Sequence, residues 1–179
     1  IIGVGGHLPD KVVTNDDLSK TLNTNDEWIT ERTGIKERRI VSENDTTSSL
    51  GIEAAKKAIN NAEINKDDID LIIVATATPD NTFPATATSI QSGLGIKKGY
   101  AYDVQAVCSG FVFGLELADN SISLGKSNTA LVIGSETFSR ILDWDDRSTC
   151  VLFGDGAGAV VLQSTNEKSQ SLILSNHLH

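Results

Sequence analysis

Cys108 sits in the run Asp103-Val104-Gln105-Ala106-Val107-Cys108-Ser109-Gly110-Phe111, where an apolar strand passes through a small-residue turn into a helix. A thiol at such a junction has the makings of a nucleophile. The first N–H groups of a helix lack intrahelical partners and carry roughly half a positive charge, which stabilises a thiolate beside them. A thiol pKa of ~8.5 can fall there to between ~3.5 and ~7.5, so that the sulfur reacts at neutral pH. The competing reading is a buried, inert cysteine, the commoner fate of a lone Cys. Cys150 lies in an alternating, strand-like stretch and reads as a small core residue.

Two other groups invite chemistry and are better explained without it. Gly154-Asp155-Gly156-Ala157-Gly158 resembles a phosphate loop, but the glycines join two strand-like runs and no helix follows to offer its N-terminus. A tight Asp-Gly turn between antiparallel strands, with glycines where another backbone comes close, fits the context better. His7 falls in a loop, and His177 and His179 end the chain at a spacing that shares one strand face. With no third ligand nearby, the pair reads as partly exposed side chains, and no metal site is expected.

The elements that must hold Cys108 alternate between strand and helix patterns, the signature of a mostly parallel sheet covered by helices. Ile1 to Val4 reads as a first strand. A polar excursion from Gly5 to Ile40 follows, with short helices near Asp16–Leu22 and Asp26–Thr33. Asp45 or Thr46 can cap a helix reaching Asn61 or Ala62, with Leu50, Ala54, Ala55, Ala58, Ile59 and Ala62 inward. Strands are expected at Leu71–Ala77 and Tyr100–Val104, and Pro84 can start the helix between them, which ends at Gly93 or Gly95. The cysteine helix should face inward with Phe111, Val112, Leu115, Ala118 and Ile122 and stop at Gly125. Further strands are expected at Ala130–Gly134, Thr149–Phe153 and Ala157–Leu162. The continuous apolar run Leu71-Ile72-Ile73-Val74 implies a sheet buried on both faces.

Composition bounds the function. A chain of 179 residues suffices for one well-formed core. The net charge of -9 argues against general nucleic-acid or anionic-membrane binding, so a polyanionic ligand would need a local basic patch. The apolar run Leu71–Ala77 is far short of the ~20 residues that span a bilayer. Two cysteines and the lack of a signal-peptide pattern make a reducing cytoplasm the expected compartment. The chain starts at Ile1 without a methionine and stops after a strand-like run, and reads as a piece of something longer.

Four motifs together carry a family resemblance: Asp26-Glu27-Trp28-Ile29 with Arg32-Thr33-Gly34-Ile35; Ala106-Val107-Cys108-Ser109-Gly110-Phe111; Asp146-Arg147-Ser148-Thr149; and Phe153-Gly154-Asp155-Gly156-Ala157-Gly158-Ala159. In this order, over the whole chain, they resemble the first half of a β-ketoacyl-acyl carrier protein synthase III. The resemblance implies an α/β fold, the thiolase-like layering α-β-α-β-α, with residues 1–179 forming the N-terminal half and an insertion at about 5–40. It implies an acyltransferase that starts fatty-acid synthesis: an acyl group, commonly acetyl, passes from coenzyme A to the cysteine, and malonyl-acyl carrier protein condenses with it, losing CO₂. Both are substrates, and no cofactor is implied. The implied partners are acyl-coenzyme A, acyl carrier protein and a second copy of the chain, in the cytoplasm, with no nucleic acid or membrane.

Carried over position by position, Cys108 is the acyl-accepting nucleophile, and a backbone N–H at the same helix start can help hold the oxyanion. Trp28 and Arg147 sandwich the coenzyme A adenine, Arg32 contacts a phosphate near it, Thr24 reaches the adenine with its hydroxyl, and Phe83 closes the acyl pocket across a dimer interface. Local charge agrees. Trp28 to Ile40 holds Arg32, Lys36, Arg38 and Arg39 against Glu31 and Glu37, a net of plus two in an acidic protein. The histidine and asparagine that polarise the malonyl thioester in such enzymes belong to a second half that these residues do not include, so this portion alone is expected to be inactive in condensation. Two other readings stay open: a different thiolase-fold acyl-coenzyme A condensing enzyme of specialised metabolism, with its pocket around Phe83 and Phe138, and a noncatalytic coenzyme A-binding half-domain.

Overall fold

The computed structural model of the chain describes residues 1–165 and 172–178. In order, the helices and strands are β1 (Gly3–His7), β2 (Lys11–Thr14), α1 (Asn15–Ser19), α2 (Asp26–Thr33), β3 (Glu37–Ile40), α3 (Thr47–Ala62), β4 (Leu71–Ala75), α4 (Thr86–Leu94), β5 (Tyr100–Val104), α5 (Gly110–Ser123), β6 (Thr129–Thr137) and β7 (Asp155–Gln163). Five strands form one sheet in the order β1-β7-β6-β4-β5, and β2 pairs with β3 separately. β4 runs parallel to both β5 and β6, while β7 is antiparallel to β6 and to β1.

Every residue of β4 is buried, as its unbroken apolar run requires. Ile72 and Val74 face α3 and α4, meeting Ala54, Ala58, Ala87 and Ile90. Leu71 and Ile73 point the other way, into a cluster with Ala118 of α5, flanked by Phe111, Leu115 and Ile122. Each large aliphatic side chain so buried contributes about 1.5–3 kcal/mol, which makes this two-sided core the frame of the fold. α3 starts as expected, with Thr46 and Ser49 exchanging side-chain-to-backbone bonds in a capping box.

Several expectations are corrected. The first strand lies at Gly3–His7 rather than Ile1–Val4, so His7 is a strand residue. Glycine usually weakens a strand, but an added Cβ would lie 2.4 Å from Ala58 O at Gly3 and 2.3 Å from Ala54 O at Gly5. Close contact with α3 demands the glycines that hid the strand. The polar excursion contains the β2–β3 pair, disguised because an arginine, Arg38, takes an inward position of β3. Thr149–Phe153 is not a strand: Cys150–Leu152 forms a 3₁₀ turn, with Cys150 N–H donating to Asp146 O at 3.0 Å. Asp155 to Gly158 is no turn either. These residues belong to β7, with Gly156 opposite Glu136 and Gly158 opposite Gly134. Pro84 precedes α4 without starting it; the Asp103 carboxylate accepts from the Thr86 and Ala87 N–H groups, at 2.7 Å each, and so fixes the helix start. Val112, expected inward, is 49 % exposed, because the buried stripe of α5 runs through Gly110, Gly114 and Ala118. The strand-like run near the chain end forms no strand over 172–178, where His177 is exposed. His179 lies outside the described residues.

Candidate active site

Helix α4 carries the chain from β4 to β5 over one face of the sheet, and α5 carries it from β5 back across β4 to β6 over the other. The carboxyl ends of β4, β5 and β6 therefore border a topological switch point, the place where open α/β sheets present ligands to reacting side chains. Cys108 emerges there. It lies in a 3₁₀ turn, Val107–Ser109, between the end of β5 and the start of α5, and it is exposed. The turn is strained: Val107 has φ 40°, a region that a β-branched residue rarely enters. The Ser109 N–H donates to Ala106 O at 3.0 Å and the Gly110 N–H to Val107 O, so the two amides after the cysteine are bonded within the turn. The sulfur thus precedes the helix by one short turn instead of lying on its first residue.

Polar groups brace the neighbouring strand ends. The Glu136 carboxylate accepts from Ala77 N–H at 2.8 Å and from the Thr78 hydroxyl, tying the end of β6 to the chain leaving β4. Phe138 stacks on Phe153, with ring centroids 4.6 Å apart. Asp155, which the sequence presented as a turn residue, is a buried anchor: its carboxylate accepts from Val41 N–H (2.8 Å), Ser139 N–H (2.8 Å) and the Ser139 hydroxyl (2.6 Å). Cys150 is fully buried beside Leu18, Ile29 and Val151, and that burial pushes its thiol pKa up.

A second assembly forms on α2. Asn25 caps the helix by accepting from Trp28 N–H at 2.7 Å, Ile29 is buried beneath it, and the half-buried Trp28 packs against the edge of the Leu18, Ile29 and Val151 cluster. Arg32, one turn later, places its guanidinium 4.4 Å from the ring centroid and donates to Trp28 O at 3.2 Å. Arg147 comes from the far side of the sequence. Its guanidinium lies 5.0 Å from the same centroid, and Nη1 donates to Asn23 O. Asp146 shapes that turn, accepting from Ser148 N–H at 2.9 Å and the Thr149 hydroxyl at 2.7 Å. Thr24, next to Asn23, has a buried hydroxyl oxygen without a hydrogen-bond partner.

The structure therefore brings Trp28, Arg32 and Arg147 into contact, with Thr24 beside them. Among the described residues, no hydrogen bond or ring contact joins Cys108 or Phe83 to this cluster; Phe83 is 82 % exposed. No group of three or more His, Cys, Asp or Glu among the described residues converges as a metal-ligand set. No described helix is long and apolar enough to cross a membrane.

A mixed sheet between helix layers, with a cysteine on the turn that opens one of those helices, defines a thiolase-like α/β fold. Solved structures place it so: 3-oxoacyl-[acyl-carrier-protein] synthase III from Aquifex aeolicus superimposes with a TM-score of 0.91 at 52% identity, covering 94% of this chain and 54% of that one. The priming β-ketosynthase of the R1128 polyketide pathway gives 0.90 at 34% identity, covering 93% and 50%. Residues 102–179 match the family 3-Oxoacyl-[acyl-carrier-protein (ACP)] synthase III. Beta-ketoacyl-[acyl-carrier-protein] synthase III of Ehrlichia canis is 60% identical over 179 residues, all of this chain and 56% of the relative. That of Paramagnetospirillum magneticum is also 60% identical, over 182 residues. The resemblance to β-ketoacyl-acyl carrier protein synthase III runs the whole length of the chain, and the chain spans about half the length of the curated relatives it matches.

Proposed function

We propose that this chain carries the nucleophile and the coenzyme A adenine site of a β-ketoacyl-acyl carrier protein synthase III that starts fatty-acid synthesis in the cytoplasm. The observation that carries the reading is the exposed Cys108 on its strained turn at the switch point. The Cys108 thiolate attacks the carbonyl carbon of an acetyl thioester, the bond from that carbon to the coenzyme A sulfur breaks, and coenzyme A takes up the proton that the cysteine gave up. Malonyl-acyl carrier protein then loses CO₂. The carbanion left behind attacks the acyl carbonyl and Cys108 departs as thiolate, leaving a 3-ketoacyl thioester on the carrier. The groups that polarise the malonyl carbonyl, a histidine and an asparagine by the resemblance, come from the other half of the enzyme, so these 179 residues alone are expected to yield no condensation product. Phe83 is assigned to the acyl pocket at the contact with a second copy of the protein.

The chemistry of the Trp28 cluster suits a purine. An indole face offers stacking, two guanidinium groups offer cations to a nucleotide phosphate, and the Thr24 hydroxyl lacks the partner that a ring nitrogen or amine would supply. A planar ring between Trp28 and Arg147 requires about 7–8 Å, twice a carbon contact distance, so the Arg147 turn must move outward by about 2–3 Å from its 5.0 Å contact. The likeness to a polyketide priming ketosynthase favours a second reading, a starter-unit enzyme with a different acyl preference. Short, branched and aromatic acyl-coenzyme A primers separate the two.

The test is acyl transfer to the full-length protein from acetyl-coenzyme A, followed by intact mass. One acetyl group is expected on the protein and none on Cys108→Ala; undiminished labelling of the variant rejects both readings.

A further inference from the structure

Arg38 is an arginine at an inward position of β3. It is 5% exposed, and among the described residues no carboxylate pairs with it. Burying an uncompensated charge is costly, and Arg38 Nε adds to that cost because it is buried without a partner. What the guanidinium does bond is informative. One end, Nη1, donates to Asn15 Oδ1 at 2.9 Å and to Val13 O at 3.3 Å. The other, Nη2, donates to Val151 O at 2.9 Å.

Each end leads to one side of the Trp28 cluster. Asn15, itself 1% exposed, passes the contact on through Nδ2, which donates to Asp26 Oδ1 at 2.8 Å and to Ile35 O at 2.7 Å. Those acceptors flank α2: Asp26 is its first residue, and Ile35 follows its last turn. Val151 lies in the turn that begins at Cys150, whose N–H is bonded to Asp146 O beside Arg147. A rigid, forked cation therefore joins the helix bearing Trp28 and Arg32 to the segment bearing Arg147, and a single-pronged side chain cannot do both.

We propose that Arg38, acting through Asn15, is a positioning residue that sets the separation of Trp28 and Arg147 and thereby the affinity for the adenine end of an acyl-coenzyme A. The proposal rests on assigning that cluster to coenzyme A. It predicts an effect confined to substrates that carry the nucleotide. In the full-length protein, Arg38→Lys should raise KM for acetyl-coenzyme A about fivefold to tenfold with kcat within about twofold, because only binding shared by ground and transition state is lost. The acetyl thioester of N-acetylcysteamine, which has no nucleotide, should be used with kcat/KM within about twofold of the parent. Adding Trp28→Ala should bring no further rise beyond that of Trp28→Ala alone, since both changes act on one contact. Equal losses with both thioesters, or additive effects in the double variant, overturn the proposal. If Arg38→Lys does not fold, Asn15→Ser loosens only the α2 side and is judged by the same outcomes. Trp28→Ala keeps the two ideas apart. A raised KM there with none in Arg38→Lys or Asn15→Ser sinks this proposal alone, whereas a normal KM in Trp28→Ala removes the adenine assignment and this proposal with it.

Discussion

Val107→Gly tests whether the cysteine turn is held under strain. Val107 has φ 40° and is 61% exposed, so it combines an unfavourable backbone with little burial. A non-glycine residue in that region costs about 1–3 kcal/mol, which glycine recovers. Against this, the buried two-fifths of the side chain is lost, about 0.6–1.2 kcal/mol when scaled from full burial. Glycine also enlarges the unfolded ensemble by about 0.4–1 kcal/mol. The terms nearly cancel, and the variant should lie within about 1 kcal/mol of the parent by urea denaturation of the full-length protein. Val74→Gly supplies the contrast: that valine is fully buried in β4, and its loss should cost about 3 kcal/mol or more. Acetyl uptake by Val107→Gly should nevertheless fall by about tenfold to a hundredfold, because a turn free to relax no longer fixes the sulfur. A destabilisation of about 1–2 kcal/mol, the side-chain and unfolded-state losses with nothing recovered, would show that no strain is stored at Val107. A normal uptake rate would show that the turn does not aim the nucleophile.

The two cysteines should differ in reactivity, since Cys108 is exposed and Cys150 is buried with its thiol pKa pushed up. Iodoacetamide should label Cys108 in the folded chain and reach Cys150 only after unfolding; labelling of Cys150 in native protein would contradict the packing. Asp155→Ala should cost about 3–5 kcal/mol by denaturant titration, because it strands two buried amides and a hydroxyl, and a loss under about 1 kcal/mol would show that they find other partners. The Asp26 carboxyl is held below the usual carboxylate range, chiefly by the Asn15 hydrogen bond. Its ionised form therefore stabilises the fold fully above the unfolded value of about 3.9, and that contribution is lost as pH falls through the lower folded value. Asp26→Asn should be less stable than the parent at pH 7 and converge on it in acid; a gap independent of pH would refute the assignment.

Legibility followed how local each determinant is. β4 could be read outright, because five consecutive apolar residues have no place except between two covered faces. The α3 cap is just as local, Thr46 and Ser49 being three residues apart. β1 lies apart from its expected position because its glycines answer to the backbone of α3, which is more than forty residues away. The β2–β3 pair is hidden in the sequence because Arg38 in β3 breaks the alternation that marks a half-buried strand, and its reason for being inward lies at Val151. Thr149–Phe153 has strand-forming residue types, yet Asp146 O captures the Cys150 N–H and winds the segment into a turn.

The same rule divides the site. The cysteine turn and the i, i+4 pair Trp28–Arg32 are local patterns, whereas the approach of Arg147, the Arg38–Asn15 link and the Asp155 anchor depend on segments distant in sequence. Physically, the two halves of the site also rest on different supports. Cys108 follows the edge strand β5, which pairs along its whole length with β4, the strand buried from both sides. Trp28 stands on an eight-residue helix flanked by a five-residue helix and a two-stranded pair, none of which is stable alone. Their order derives from the small cluster around Leu18, Ile29 and Val151 and from the Arg38 bonds. Under the proposed function, the outward step that a ring between Trp28 and Arg147 demands falls on the Arg147 turn, where Arg147, Ser148 and Thr149 are exposed, and the Cys108 turn need not move with it.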